Sequence, residues 1–399
     1  MLGRPRSKLA ALGLVAASLA AFANPPSSAA SAVSLASSAV PVGDNGLVSG
    51  ASAARRTSEL RSFTVAATGD VLTEAAVLNA GQRFAKGSLA RYDFGPLFDP
   101  VTSMLSSAQL AICHMEIPIG DPGAGVGVFG RSPYGGNLLQ APYEIAVSLK
   151  AAGYDRCSTS SNHSNDLGVT GIDSTLNAFD SVGIGHAGTA RTPEEAGPKI
   201  ILVNGVSVAH LAYTRYSNTD RPRDAWRLNF AANADQVIKD VQTARALGAE
   251  VVIVSVHISL ELLRAPSGRD RAFIADITTG AKIDLVIEHG PHVIQPIEKV
   301  NGTWVYWSVG NFISGMGLPG ATRYGLPTLD GLMAWARFDE VSAGNFEVTA
   351  SSVLICNEQF GRVVYPALVT LSDLALDADL RRQLQGCVAR TTAVLSDFL

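Results

Sequence analysis

Five of the seven histidines in this chain stand where an apolar, strand-like run gives way to polar residues. FTVAATGD ends in Asp70, and QLAICHMEIP carries His114 and Glu116. RCSTSSNHSND carries Asn162, His163 and Asp166; EVVIVSVH ends in His257; IDLVIEHGPH ends in Glu288, His289 and His292. Carboxylate, amide oxygen and imidazole in this mixture suit borderline divalent ions such as zinc, manganese or iron, and a carboxylate set between two ions can bridge them. A lone strand-end histidine is more often a hydrogen-bonded structural group. Repetition of the pattern along the chain argues for one shared site.

Such residues converge only if the strands that carry them run side by side, and the periodicity supplies that arrangement. From Phe63 onward, strand-like runs alternate with helical ones: LFDPVTSMLSSA, APYEIAVSLKAAGY closed by Gly153, and GIDSTLNAFDSVGI ending at Gly183 all read as helices. This alternation predicts an α/β sheet whose strand ends meet at one crevice. Two Asn-Gly pairs, Asn204-Gly205 and Asn301-Gly302, sit between β-rich runs and predict type I′ hairpins, so antiparallel strands are mixed in. ANADQVIKDVQTARALGA and the segment from Arg271 to Ala281 are further helices. After residue 325, GLMAWARFDE, NFEVTASSVLIC and GRVVYPALV read as antiparallel strands, and DADLRRQLQGCVARTTAVLSDF as a terminal helix.

The N-terminus has a different character. Arg4, Arg6 and Lys8 precede LAALGLVAASLAAFA, which reads as a signal peptide over residues 1–23, cut after Ala23. Residues 24–61 are rich in Ser, Ala, Pro and Gly and read as a disordered linker. The expected location is therefore secreted or cell-envelope. A net charge of −4 without long basic runs argues against nucleic acid as a partner. Four cysteines, Cys113, Cys157, Cys356 and Cys387, are an even number in an exported chain, but neither pairing nor simple burial is fixed by their spacing. No CxxC is present, which disfavours a zinc-thiolate site.

Taken in order, TGDVL, YDFGPLF, CHMEIP, SSNHSNDLGVTGIDSTLNAFDSVGIGHAG, HISLE, EHGPHVIQPIE and SVGNF resemble the blocks of the bacterial capsule-synthesis proteins of the CapA type, associated with poly-γ-glutamate and related to the calcineurin-like metallophosphoesterases. The resemblance runs from about Phe63 to Phe312. It implies a four-layer α/β/β/α sandwich with mixed sheets over residues 62–375, with the helix of residues 376–399 packed on it. It also implies divalent-metal ligands at Asp70, Glu116, Asn162, His257, His289 and His292, with Glu116 as the bridge. His163 would be the general acid and Asp166 its orienting partner. Glu261 and Arg215 are candidates for binding a substrate carboxylate or phosphate, and Asn311 either caps a turn or faces the site. His186 and His210 read as structural, and the tryptophans as core or rim.

Several positions depart from the family pattern. Glu288 stands for the usual glycine, Gly290 for the usual second histidine, Ser259 for a glycine, and Leu72 where metallophosphoesterases have a ligand histidine. Three arrangements stay open: a single-metal site, a shifted ligand set using Glu288, or a site that binds without turnover. The leading functional expectation is an exported protein of capsule or poly-γ-glutamate synthesis or processing that hydrolyses a γ-glutamyl or phosphoester bond. Its partners would be an anionic polymer or a small phosphoester or peptide substrate, together with membrane-associated synthesis or export machinery. The alternatives are a non-enzymatic polymer-binding export subunit and a secreted phosphoesterase unrelated to capsule.

Overall fold

Strands and helices alternate along the chain as its periodicity requires. The computed structural model describes residues 60–258, 260–317, 323–396 and 398; the expected signal peptide and all but the end of the expected linker lie outside them. The first half contains β1 (Ser62–Val71), α1 (Ala75–Ala85), α2 (Gly95–Ser107), β2 (Leu110–Met115), β3 (Gly127–Arg131), β4 (Asn137–Gln140), α3 (Glu144–Ala151), β5 (Arg156–Ser158), α4 (Gly168–Val182) and β6 (Gly185–Ala187). The second begins with β7 (Ile200–Val203), β8 (Val206–Thr214), α5 (Asp235–Ala246), β9 (Val251–His257), α6 (Gly268–Gly280), β10 (Leu285–His289), β11 (Ile297–Val300) and β12 (Thr303–Tyr306). It ends with β13 (Asn311–Ile313), β14 (Asp330–Ser342), β15 (Asn345–Asn357), β16 (Val364–Pro366), α7 (Ala367–Leu371) and α8 (Ala378–Val394).

These strands form an eight-stranded sheet in the order β16-β15-β14-β1-β2-β5-β6, with β13 beside β1, and a six-stranded sheet in the order β11-β12-β10-β9-β8-β7. Period-2 alternation divides their side chains between layers. On β1 and β2, Ala66, Ala111 and Cys113 face the layer built by α1, α2, α3 and α4, while Phe63, Val65, Ala67, Leu110 and Ile112 face the other sheet. On β9 and β10, Val251, Ile253, Leu285 and Ile287 meet them there, and Val252, Val254 and Val286 turn outward onto α5 and α6. The result is the expected α/β/β/α sandwich.

Both Asn-Gly hairpins form, with Asn204 (φ 45°) and Gly205 (φ 77°), and Asn301 (φ 50°) and Gly302 (φ 86°), in the positive-φ conformations of a type I′ turn. The strand expected over GRVVYPALV is shorter: Pro366 has no N–H to extend the ladder, and the chain turns into α7. The β3-β4 hairpin and α1 have no counterpart in the sequence reading. The cysteines pair as Cys113–Cys157, between adjacent β2 and β5, and Cys356–Cys387, tying α8 to β15.

Each sheet has a parallel core, β1-β2-β5-β6 in one and β8-β9-β10-β12 in the other. Their C-terminal ends carry the residues singled out above. A bulge in β1 between Ala67 and Asp70 re-aims the strand end, setting Asp70 opposite both His114 and Asn311. Gly69 makes this approach feasible, since a Cβ there would lie 1.8 Å from Gly310 O. Gly69→Ala should therefore destabilise the fold by about 1–3 kcal/mol or more, as overpacking against backbone does. Urea unfolding checks this, and an unchanged midpoint would contradict it.

Candidate metal centre

Register brings the site together. Asp70 lies opposite His114 in the first sheet, and His289 opposite His257 in the second. All four are buried, as are Glu116 and His292. Asp70 is the centre of the arrangement. Its Oδ2 lies 3.0 Å from His292 Nδ1 and accepts the Gly290 N–H at 3.3 Å, whereas Oδ1 faces His289 Nδ1 at 3.8 Å and His114 Nε2 at 4.0 Å without a hydrogen bond. Two overlapping groups result, Asp70/His114/His289 and Asp70/Glu116/His292, each with its ligand atoms within 4.8 Å of one another. Asp70, and not the expected Glu116, is the carboxylate common to both.

The surrounding residues fix ring orientations. His292 Nδ1 also lies 3.0 Å from Asn311 Oδ1; with oxygen acceptors on both sides it carries the hydrogen, which leaves Nε2 facing Glu116 Oε1 at 3.8 Å. Asn311 is itself held by Thr328 O and Ser314 Oγ at 3.0 and 3.1 Å, so it positions His292 in place of the substrate-binding role considered for it. His114 is anchored by Ser158 Oγ at 3.1 Å and stacks on His289 with ring centroids 4.1 Å apart. His257 belongs to neither group; its Nδ1 lies 3.0 Å from His114 Nε2.

Two departures from the family pattern find a physical reason. Gly290 has φ 102°, and a Cβ there would sit 2.0 Å from Ile258 O and 2.9 Å from His257 Nε2, so no histidine fits. Glu288 follows the outward parity of Val286, opposite to His289, which removes it from any shifted ligand set. Its buried carboxyl has no hydrogen-bond partner among the described residues, and burial pushes its pKa well up. Leu72 is a buried core residue that offers no donor.

A second constellation borders the first. His163 Nδ1 lies 2.6 Å from Asp166 Oδ2, which also accepts the Leu139 N–H at 2.8 Å. The carboxylate thus sets the ring orientation. Asn218 closes the group: its N–H donates to Asn162 O at 2.8 Å, its side-chain nitrogen lies 3.2 Å from the His163 ring nitrogens, and its Oδ1 accepts from Asn162 Nδ2 at 3.2 Å. Asn162 Oδ1 is buried without a partner among the described residues. Glu261 pairs with Arg323 at 2.7 Å and accepts from the Tyr324 hydroxyl at 3.2 Å. Arg215 is committed elsewhere, stacked 4.3 Å over the Phe273 ring and 3.4 Å from Asp270 in the outer helical layer, so it is not the crevice cation considered above.

His114, noted at its strand end but not carried into the expected ligand set, joins one of the two groups. Glu74 and Asn218 were missed altogether. Glu74 precedes α1 and accepts the Gly315 N–H at 2.6 Å; burial raises its pKa against the opposing charges of His292 and His163. Both reach the site through loops that carry no periodic signal.

Burial dominates the electrostatics. It lowers His257 to about 3, His289 to about 4 and His114 well below the usual value, and it raises Glu116 well above its own. Burial also opposes charge on His292 and Asp70, yet Glu116 and Asp70 carry His292 up to about 10, and the His292 hydrogen bond and charge pull Asp70 down.

Residues 64–316 match the family model described as bacterial capsule synthesis protein PGA_cap, and the chain belongs to that family. It is 29% identical over 213 residues to the PGA biosynthesis protein CapA of Bacillus subtilis (strain 168), covering 53% of this chain and 54% of that protein. It is 26% identical over 189 residues to the capsule biosynthesis protein CapA of Bacillus anthracis, covering 45% of this chain and 44% of that one. The chain spans about half the length of the curated relatives it matches. Among solved structures, the calcineurin-like phosphoesterase YfkN of Bacillus subtilis aligns with a TM-score of 0.44 at 14% identity, over 84% of this chain and 98% of that one.

The depressed histidines set an acid limb. Between their folded values of about 3 and 4 and the ordinary 6.5, the unfolded chain binds more protons, so stability falls as pH drops through that window. Each contributes up to about 1.4 kcal/mol per pH unit. His292 acts oppositely: its contribution is full below 6.5 and is lost as pH rises toward about 10. Urea midpoints of chelator-treated protein should fall from pH 6.5 to 4, and His289→Gln should flatten that slope; an unchanged slope would contradict the assignment.

Proposed function

We propose that this chain is an exported, metal-dependent hydrolase of capsule-polymer synthesis or processing, acting on a γ-glutamyl or phosphoester bond. The observation that carries the reading is the set of buried donors without partners among the described residues, Asp70 Oδ1, both Glu116 oxygens and His289 Nδ1, collected where strand ends of the two sheets meet. Buried carboxylates without partners are costly, and a cation between them removes that cost. The donor set is of oxygen and imidazole type with Asp70 shared, which fits one or two ions of the zinc, manganese or iron class. Asp70, His114 and His289 would hold one, and Asp70, Glu116 and His292 the other, with Asn162 and His257 flanking.

A divalent ion held there would act as a Lewis acid on the scissile group and generate a hydroxide nucleophile near neutral pH. The chain's own residues supply the rest. Neutral His114 and His289 are already in the protonation state a ligand needs, whereas His292 must release its Nε2 proton on metal binding. His163, its Nδ1 tied to Asp166, presents Nε2 as general acid to the leaving group. Asn218, braced by Asn162, holds that ring. A crevice lined by the carboxyl groups of Asp70, Glu74, Glu116 and Glu261 would take up an anionic polymer better when metal-loaded, which disfavours a polymer-gripping role without an ion. The two disulfides favour an oxidising compartment and hence export.

Metal analysis of protein purified without chelators should find a bound divalent ion that Asp70→Asn largely removes. His163→Asn should keep the metal while lowering kcat on polyglutamate or a generic phosphodiester by about 10²–10⁴-fold. Absence of metal from the wild type, or undiminished turnover by His163→Asn, would sink the respective half of the reading.

A further inference from the structure

Away from the crevice, at the flank where β6 at the edge of one sheet faces β8 of the other, a small cleft opens to solvent. Arg156, His186, His210 and Lys199 line it. Arg156 is only 5% exposed. Its Nη2 donates to His186 O at 2.9 Å and its Nε to His210 Nδ1 at 3.2 Å, while Nη1 has no acceptor among the described residues. No carboxylate among the described residues pairs with it. The adjacent Asp155 uses its Oδ2 on the Ala111 N–H at 2.8 Å.

A buried charge is normally held in an ion pair, and this guanidinium forms none among the described residues. Burial draws it down to about 10, and the nearby Asp155 charge offsets this only in part. The acids lining the cleft are spent on other groups. Glu195 is bound by Arg191 at 2.5 and 3.1 Å, and Asp240 accepts from the Tyr213 hydroxyl and from Gln236, both at 2.9 Å. His210 supplies no negative charge either. Its Nδ1 accepts from Arg156, so Nε2 carries the hydrogen and donates to Ser255 Oγ at 2.9 Å, which fixes a neutral ring. Lys199, exposed at the rim, adds a second cation, loosely placed 3.8 Å from Glu195.

We propose that this cleft binds a compact inorganic anion, with Nη1 of the largely buried Arg156 as its charged donor and Lys199 at the entrance. The ligand is a halide or a small oxyanion: an acceptor small enough to enter between the sheet edges and charged enough to replace the missing carboxylate. The site would be independent of the metal centre.

Thermal unfolding of the full chain, titrated with sodium bromide or sodium phosphate at constant ionic strength, tests this. A saturable rise in Tm with bromide assigns a monatomic anion, and one with phosphate alone assigns an oxyanion; either should persist in Asp70→Asn. Arg156→Met should weaken the apparent affinity by about tenfold or more, as loss of a hydrogen bond to a charged group does. If Arg156→Met does not fold, Lys199→Ala at the exposed rim should still weaken it severalfold. A bromide-soaked crystal should place an anomalous peak within hydrogen-bonding reach of Arg156 Nη1 if bromide is the stabilising anion. No saturable response to either salt, or a response unchanged in the foldable variants, would overturn the proposal.

Discussion

Two carboxylates, Asp70 and Glu116, are carried into the interior where two sheets meet, and most of the surrounding structure serves to keep them there. Burying an unpaired carboxylate opposes folding strongly. Asp70 is partly compensated by His292 at 3.0 Å and the Gly290 N–H, yet its Oδ1 and both Glu116 oxygens have no hydrogen-bond partner among the described residues. A fold that tolerates this must be held by other contacts. Three apolar layers, two disulfides and the long β14-β15 pairing supply them.

Preorganisation follows from the backbone as much as from side chains. Gly69 lets β1 approach Gly310, and the β1 bulge swings Asp70 toward both sheets. Gly290, at φ 102°, lets the chain fold over His257 and deliver His292, itself at φ 59°. Asn311 then fixes which nitrogen of His292 faces the centre. Each imidazole is held by a neighbour: His114 by Ser158 and by stacking on His289, and His163 by Asp166. A ligand set held in this way loses little conformational freedom when an ion enters.

The strand–helix alternation, both Asn-Gly hairpins and the convergence of strand ends were legible in the sequence because they follow from periodicity and turn chemistry, which are local; the four-layer order was implied by the family resemblance. Asp70, Glu116, His289 and His292 were legible as a collection for the same reason. What could not be read was register. The adoption of His114 beside Asp70, and the sharing of Asp70 in place of Glu116, depend on a bulge that no single segment announces. Arg215 was misjudged because a strand-end residue has two faces to choose from, and the Phe273 ring decides the outer one. Glu74 and Asn218 come from loops whose paths are set by packing with distant elements.

The central claim is that the orphaned donors around Asp70 form a metal centre shared across the two sheets. Anomalous diffraction from crystals of the full chain grown with manganese tests it most directly. Anomalous density is expected in contact with Asp70, adjacent to His114 and His289 on one side or Glu116 and His292 on the other. Density elsewhere with none at Asp70, or none at all at saturating manganese, would contradict it.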